Sequence, residues 1–99
     1  MSLQFVGDAG VYLPDRDAVK ITAIAGDRAI DCYMTRSALD ALGCPSSGDA
    51  LDILKTFEAR RLDCEIAALA KYRRSLAVVV ALEITAADLA VVDDRSHAA

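Results

Sequence analysis

The stretch SSGDALDILKTFEARRLDCEIAALAKYRR, from Ser46 to Arg74, decides the fold, because no other segment joins a helix start signal to several turns of helical periodicity. Ser46 with Asp49 three residues later has the form of a capping box, in which hydroxyl and carboxylate each satisfy a backbone N–H that the first turn leaves unpaired. Asp49 and Asp52 lie near the start, and Lys71, Arg73 and Arg74 crowd the end, so charge complements the helix dipole at both ends. The pattern predicts one long helix. At 100° per residue, Ala50, Ile53, Leu54, Phe57, Cys64, Ala68 and Tyr72 share one side, and Leu51, Leu62, Ile66 and Leu69 form a second stripe part of a turn round. One stripe packs on a sheet; two require two partners, which makes Leu51, Leu62, Ile66 and Leu69 a candidate interface for a second copy of the chain. Arg61 and Glu65 stand one turn apart and are placed to pair.

Outward from this helix, the N-terminal third reads as strands. Leu3 to Val6 and Val11 to Leu13 are short strand candidates, followed by a turn from Pro14 to Asp17, where proline presets φ and acidic side chains accept local backbone bonds. Val19, Ile21, Ala23 and Ala25 alternate with Lys20, Thr22 and Ile24, the period of a strand with one buried face. Gly26 and Asp27 turn the chain back into a second alternating run, with Ile30, Cys32 and Met34 on one face. Ala18 to Ala25 and Arg28 to Thr35 are therefore predicted to form a tight antiparallel hairpin. Ser37 to Leu42 reads as a short helix capped by Ser37 and closed by Gly43. Beyond the long helix, Leu76 to Ile84 is so apolar that either both its faces are expected to be covered or it is expected to sit centrally in the sheet. Thr85 either caps a last helical turn through Asp88 or precedes an edge strand from Leu89 to Val92.

At 99 residues the chain is predicted to be one α+β domain over residues 1–92 with a frayed tail over 93–99. Hydrophobic residues at 55% exclude a disordered chain, and aromatics at 5% with no Trp make the core aliphatic. A net charge of −4 opposes non-specific attraction to nucleic acid or anionic membrane, so neither is an expected partner. No signal-peptide pattern and no run long enough to span a bilayer is present, which points to a cytoplasmic protein. Cys32, Cys44 and Cys64 are odd in number and widely spaced, fitting free thiols rather than a disulfide framework or a zinc site.

Chemistry-bearing patterns are few. The sole histidine, His97, lies in the tail, so no histidine-based nucleophile pair or metal cluster is available to the body of the chain. Asp15 and Asp17 flank Arg16 in a turn, but calcium requires six to eight oxygens, and a solvated turn is the better reading. Cys44-Pro45-Ser46-Ser47 resembles a monothiol redox motif, and a loop position beside helix-start N–H groups makes Cys44 the candidate reactive thiol. Lys71, Arg73 and Arg74 around Tyr72 have the composition of an anion or RNA contact, although a helix C-terminus attracts such residues without any ligand. No phosphate loop or dinucleotide fingerprint occurs. Neither a metal nor a cofactor is expected, and no catalytic residue is assigned.

Phe5, the hairpin, Ala38-Leu39, then Phe57, Arg60 or Arg61, Ile66, Ala67, Lys71-Tyr72 and finally Asp88-Leu89 follow one another in an order that resembles a family of small bacterial proteins, domain of unknown function 1488. Its pattern ends in Asp-aromatic, from which Leu89 departs. The resemblance implies an α+β domain with no established activity, cofactor or catalytic residues, so no site carries over. The reading is a two-layer α+β domain: an antiparallel sheet of about four strands with the long helix across one face. Its function is read as a non-enzymatic protein-interaction module acting as a homodimer. A small enzyme or thiol sensor using Cys44 is the alternative, and a nucleic-acid-binding regulator using Lys71 to Arg74 is the third.

Overall fold

A computed structural model describes residues 3–5, 9–44, 49–75 and 80–90. The elements run β1 (Gln4–Phe5), β2 (Val11–Leu13), β3 (Ala18–Ala25), β4 (Arg28–Met34), α1 (Arg36–Leu42), α2 (Ala50–Ala59), α3 (Arg61–Arg74) and β5 (Ala81–Ile84). A further helical stretch over residues 86–90 follows. The α+β architecture expected from the sequence is present.

The hairpin of β3 and β4 is the spine of the sheet. Its register pairs Val19 with Met34, Ile21 with Cys32 and Ala23 with Ile30, so these inward residues face one another across the two strands, while beside the turn the buried Ala25 pairs with the exposed Arg28. Gly26, at φ 66°, supplies the left-handed turn that a two-residue loop needs. β1 and β2 lie along the same edge of β3, both antiparallel, β1 beside its end and β2 beside its start. They act as two pieces of one edge strand. On the other side β5 pairs with β4, and it does so in parallel, with Cys32 opposite Leu82 and Met34 opposite Ile84. The sheet is thus mixed and five-stranded, with order β1-β3-β4-β5 and β2 also on β3. Parallel neighbours require a long crossover, and here the crossover carries all of α1, α2 and α3 over one face of the sheet.

That face holds the core. Val19, Ile21, Ile30, Cys32, Met34 and Ile84 from the sheet meet Leu39, Ile53, Phe57, Cys64 and Ala68 from the helices, all almost wholly buried. From Ile53 to Ala68 the predicted first stripe is therefore the packing face, with Leu54 and Tyr72 partly buried beside it and Ala50 exposed. The predicted single helix is not one rod, however: at Arg60 the backbone leaves the helical region (φ −118°, ψ 17°), α2 ends and α3 begins. The reason is length. A continuous helix over residues 50–74 would run about 37 Å at 1.5 Å per residue, whereas the eight residues of β3 span about 26 Å. A break lets both halves stay on the sheet. Ser46 lies outside the described residues. Asp49 is itself the N-cap, accepting from the Leu51 N–H at 3.4 Å.

Ser37 and β5 also differ from what the sequence pattern predicts. Ser37 does not cap α1, whose N-cap is Thr35 without a side-chain bond. Its Oγ instead accepts from the Ala86 N–H at 3.1 Å, serving the helical turn after β5. β5 is not covered on both faces: Ala81 and Glu83 are exposed, Leu82 and Ile84 buried. Among the described residues β5 is an edge strand, and Val80 before it is 71% exposed. Residues 76–79, the rest of that apolar run, lie outside the described residues, as does the tail with His97. Thr85 does begin a helical turn, its N–H donating to Asp88 Oδ2 at 2.9 Å.

Candidate functional site

α3 presents its second stripe outward. Leu62 is 68% exposed and Ile66 40%, while Leu69 sits half-buried against the core edge. These large side chains are outward because Cys64, Ala67 and Ala68, the small residues between them, let the helix lie close on the sheet. Ile66, Leu69, Ala70, Arg73 and Arg74 line a groove of about 240 Å³. The break at Arg60 separates Leu51 from this stripe. Leu51, on α2, is 69% exposed and lines a different groove of about 420 Å³, together with Ala9, Gly10, Leu54 and the polar side chains Asp52, Lys55 and Glu58.

Charge is unequally distributed along α3. At its start Arg61 donates to Glu65 Oε2 at 2.9 Å and to Glu58 Oε1 at 3.2 Å. At its end Asp88 accepts from Lys71 Nζ at 3.0 Å and from Arg74 Nη2 at 3.4 Å, and Lys71 also reaches the Glu83 carbonyl oxygen. Burial, the largest influence on Asp88, pushes its carboxyl up, but the Thr85 N–H and Lys71 together hold it below the usual range. Two of the three candidate anion-binding cations therefore already face a carboxylate. Arg73 is exposed and makes no ion pair among the described residues.

Cys44 is not an open loop thiol. It is 6% exposed, its Sγ lies 3.7 Å from the Ile53 carbonyl oxygen, and burial pushes its thiol up. The cause is the helix closure before it: Gly43 adopts φ 88°, and the Cys44 N–H folds back to donate to the Leu39 carbonyl at 2.9 Å. That turn ties the backbone to the helix it has just left, while the side chain meets Ile53 of α2. Cys32 and Cys64 are buried as their strand and helix faces predict, pushed up to about 11 and about 12, first by burial. Pro45 to Ser47, the rest of the motif, lie outside the described residues.

One cluster escaped the sequence reading. Asp17, at φ 49°, ends the turn between β2 and β3. It receives both Nε (2.9 Å) and Nη2 (2.8 Å) of Arg36 and the Tyr12 hydroxyl at 2.7 Å. Arg36 also donates to Asp40 at 3.2 Å. The donated bonds of Arg36, and then of Tyr12, hold the Asp17 carboxyl down at about 2. Beside it Arg16 lies 3.8 Å over the Tyr33 ring and pairs with Glu83. The signals were present as Asp17, Arg36 and the turn, but 19 residues of separation gave no spacing rule to join them. Among the described residues no group of His, Cys, Asp and Glu is placed to hold a metal ion, and no helix is long and apolar enough to cross a membrane.

A family model described as "Protein of unknown function (DUF1488)" matches residues 3–78. The crystal structure of a protein of unknown function from that family in Shewanella loihica PV-4 is similar in fold, with a TM-score of 0.68 and 23% identity over 84% of this chain and 91% of that one. Identity at that level bears on the fold alone. No curated protein matches the chain.

Proposed function

The chain belongs to the DUF1488 family, and from that starting point we propose that it is a non-enzymatic interaction module of the cytoplasm that works as a homodimer through the outer face of α3. The observation that carries this reading is the row of Leu62 and Ile66 in solvent with Leu69 beside them, Ile66 and Leu69 also lining a groove with Ala70, Arg73 and Arg74. Contiguous exposed apolar surface of this kind is a recurrent mark of an interaction site. Removing a leucine or isoleucine from water contributes about 1.5–3 kcal/mol, and a two-fold axis counts each contact twice. The three free cysteines suit a reducing compartment. Neither alternative gains a comparable observation: the Cys44 thiol is inside the core, and Lys71 and Arg74 are engaged by Asp88.

Sedimentation equilibrium at micromolar concentration tests the proposal. The protein sediments as a dimer, and Ile66→Asp sediments as a monomer with an unchanged circular dichroism spectrum. A monomeric native protein overturns it.

A further inference from the structure

The outward stripe of α3 consists of Leu62, Ile66, Leu69 and Arg73, separated by four, three and four residues. All four fall within a narrow sector of the helix surface. That spacing reads the same in both directions. Two such helices laid antiparallel, with the two-fold axis between Ile66 and Leu69, bring each Ile66 onto the partner's Leu69 and each Leu62 onto the partner's Arg73.

Resting on the homodimer reading above, we propose that the occupant of the α3 face is the α3 of a second copy, packed antiparallel, with Leu62 of each copy seated in the groove that the other forms from Leu69, Ala70 and Arg73. Shape and charge both select this orientation. The most exposed apolar side chain of the helix is Leu62, near its start, and the groove lies at its end. Only an antiparallel pair matches projection to groove twice. The start of the stripe carries Glu58 and Glu65 against Arg61, an excess of one negative charge. The end carries Lys71, Arg73 and Arg74 against Asp88, an excess of positive charge. Antiparallel packing sets the opposite signs together at both ends, whereas parallel packing sets like signs together, and complementarity of this kind fixes register. The stem of Arg73 covers the partner's Leu62 while its guanidinium stays in water near Glu58 and Glu65 of the partner, as long basic side chains do at the rim of apolar contacts.

Cross-linking separates this geometry from the dimer itself. In the antiparallel pair, position 62 of one copy meets position 73 of the other, while the two copies of position 62 stand about 16 Å apart, eleven residues along the helix. The double variant Leu62→Cys with Arg73→Cys therefore forms a disulfide-linked dimer under mild oxidation by diamide about tenfold faster than either single variant. The unmodified protein, whose own cysteines are buried, serves as the blank. Single variants that link to themselves as fast as the double variant mean parallel packing and overturn the inference while leaving the homodimer. A native dimer by sedimentation whose double variant stays unlinked places the interface elsewhere and overturns it equally. Retention of the chain by an acidic amphipathic peptide, with the native protein monomeric, overturns both this inference and the homodimer.

Discussion

At Gly10 the absence of a side chain is a packing requirement: an added Cβ would stand 2.9 Å from both Phe57 Cε2 and Val19 Cγ1. Phe57 is fully buried and Val19 is fixed in β3, so neither yields cheaply. Gly10 also donates its N–H to Glu58 Oε1 at 3.2 Å, holding the start of β2 to α2. Gly10→Ala is expected to lower stability by about 1–3 kcal/mol, the usual cost of overpacking, read as a lower urea midpoint at unchanged slope; an unchanged midpoint would show that the contact relaxes. The cysteines give a second prediction at this scale. All three thiols are buried and disfavour the thiolate, so native alkylation is slow, with Cys44 first because Cys32 and Cys64 are pushed up furthest, to about 11 and about 12. Mass mapping of a time course checks the order. Period-two and helical alternation made the inward positions of Cys32 and Cys64 legible. Cys44 was misplaced because its side chain is aimed by the left-handed turn at Gly43, a local signal that marks the helix end without stating where the next residue points.

Among the elements, the hairpin was readable to within one residue because Gly26-Asp27 sets both turn and register; only Thr35, expected at the end of the second strand, instead caps α1. The break at Arg60 was not, since Ala59-Arg60-Arg61 contains no helix breaker and the cause is the length of a sheet formed elsewhere in the chain. The parallel pairing of β5 follows from the path of the crossover helices, which no local pattern in Ala81–Ile84 records. Asp88 shows how such remote elements are tied together. It accepts from the Thr85 N–H and hydroxyl, starting the turn over residues 86–90, and at the same time from Lys71 and Arg74 at the end of α3. Asp88→Ala is expected to cost about 0.5–2 kcal/mol from the lost cap alone, with a further loss from the unpaired cations. Hydrogen exchange of the 85–90 amides then rises before the protection of β3 and β4 changes. Equal loosening of both would mean that the turn after β5 is not a separate unit.

For the whole molecule, the turn at residues 14–17 acts as a latch between parts far apart in sequence. Asp17 binds Arg36 at the start of α1, and Arg16 reaches Tyr33 on β4 and Glu83 on β5. Read from the sequence, Pro14 to Asp17 was a solvated turn, which its position on the surface supports; its partners became visible only when the fold brought β2, β4, β5 and α1 to one end. This latch has a pH signature. The Asp17 carboxyl is held down to about 2 in the folded chain, against about 3.9 in an unfolded one. A group whose folded pKa is depressed contributes stability that is complete above its unfolded value and is lost as pH falls towards its folded value. The contribution is therefore intact at pH 7 and decays between about pH 4 and pH 2, and because Asp17 is partly exposed, salt weakens it. Asp17→Asn is expected to be less stable than the native protein at pH 7 and to lose less between pH 4 and pH 2, so that the two denaturation midpoints converge in acid. Urea midpoints at pH 7, 4 and 2 measure this directly. Parallel decline of the two proteins would mean that Asp17 does not carry the acid sensitivity.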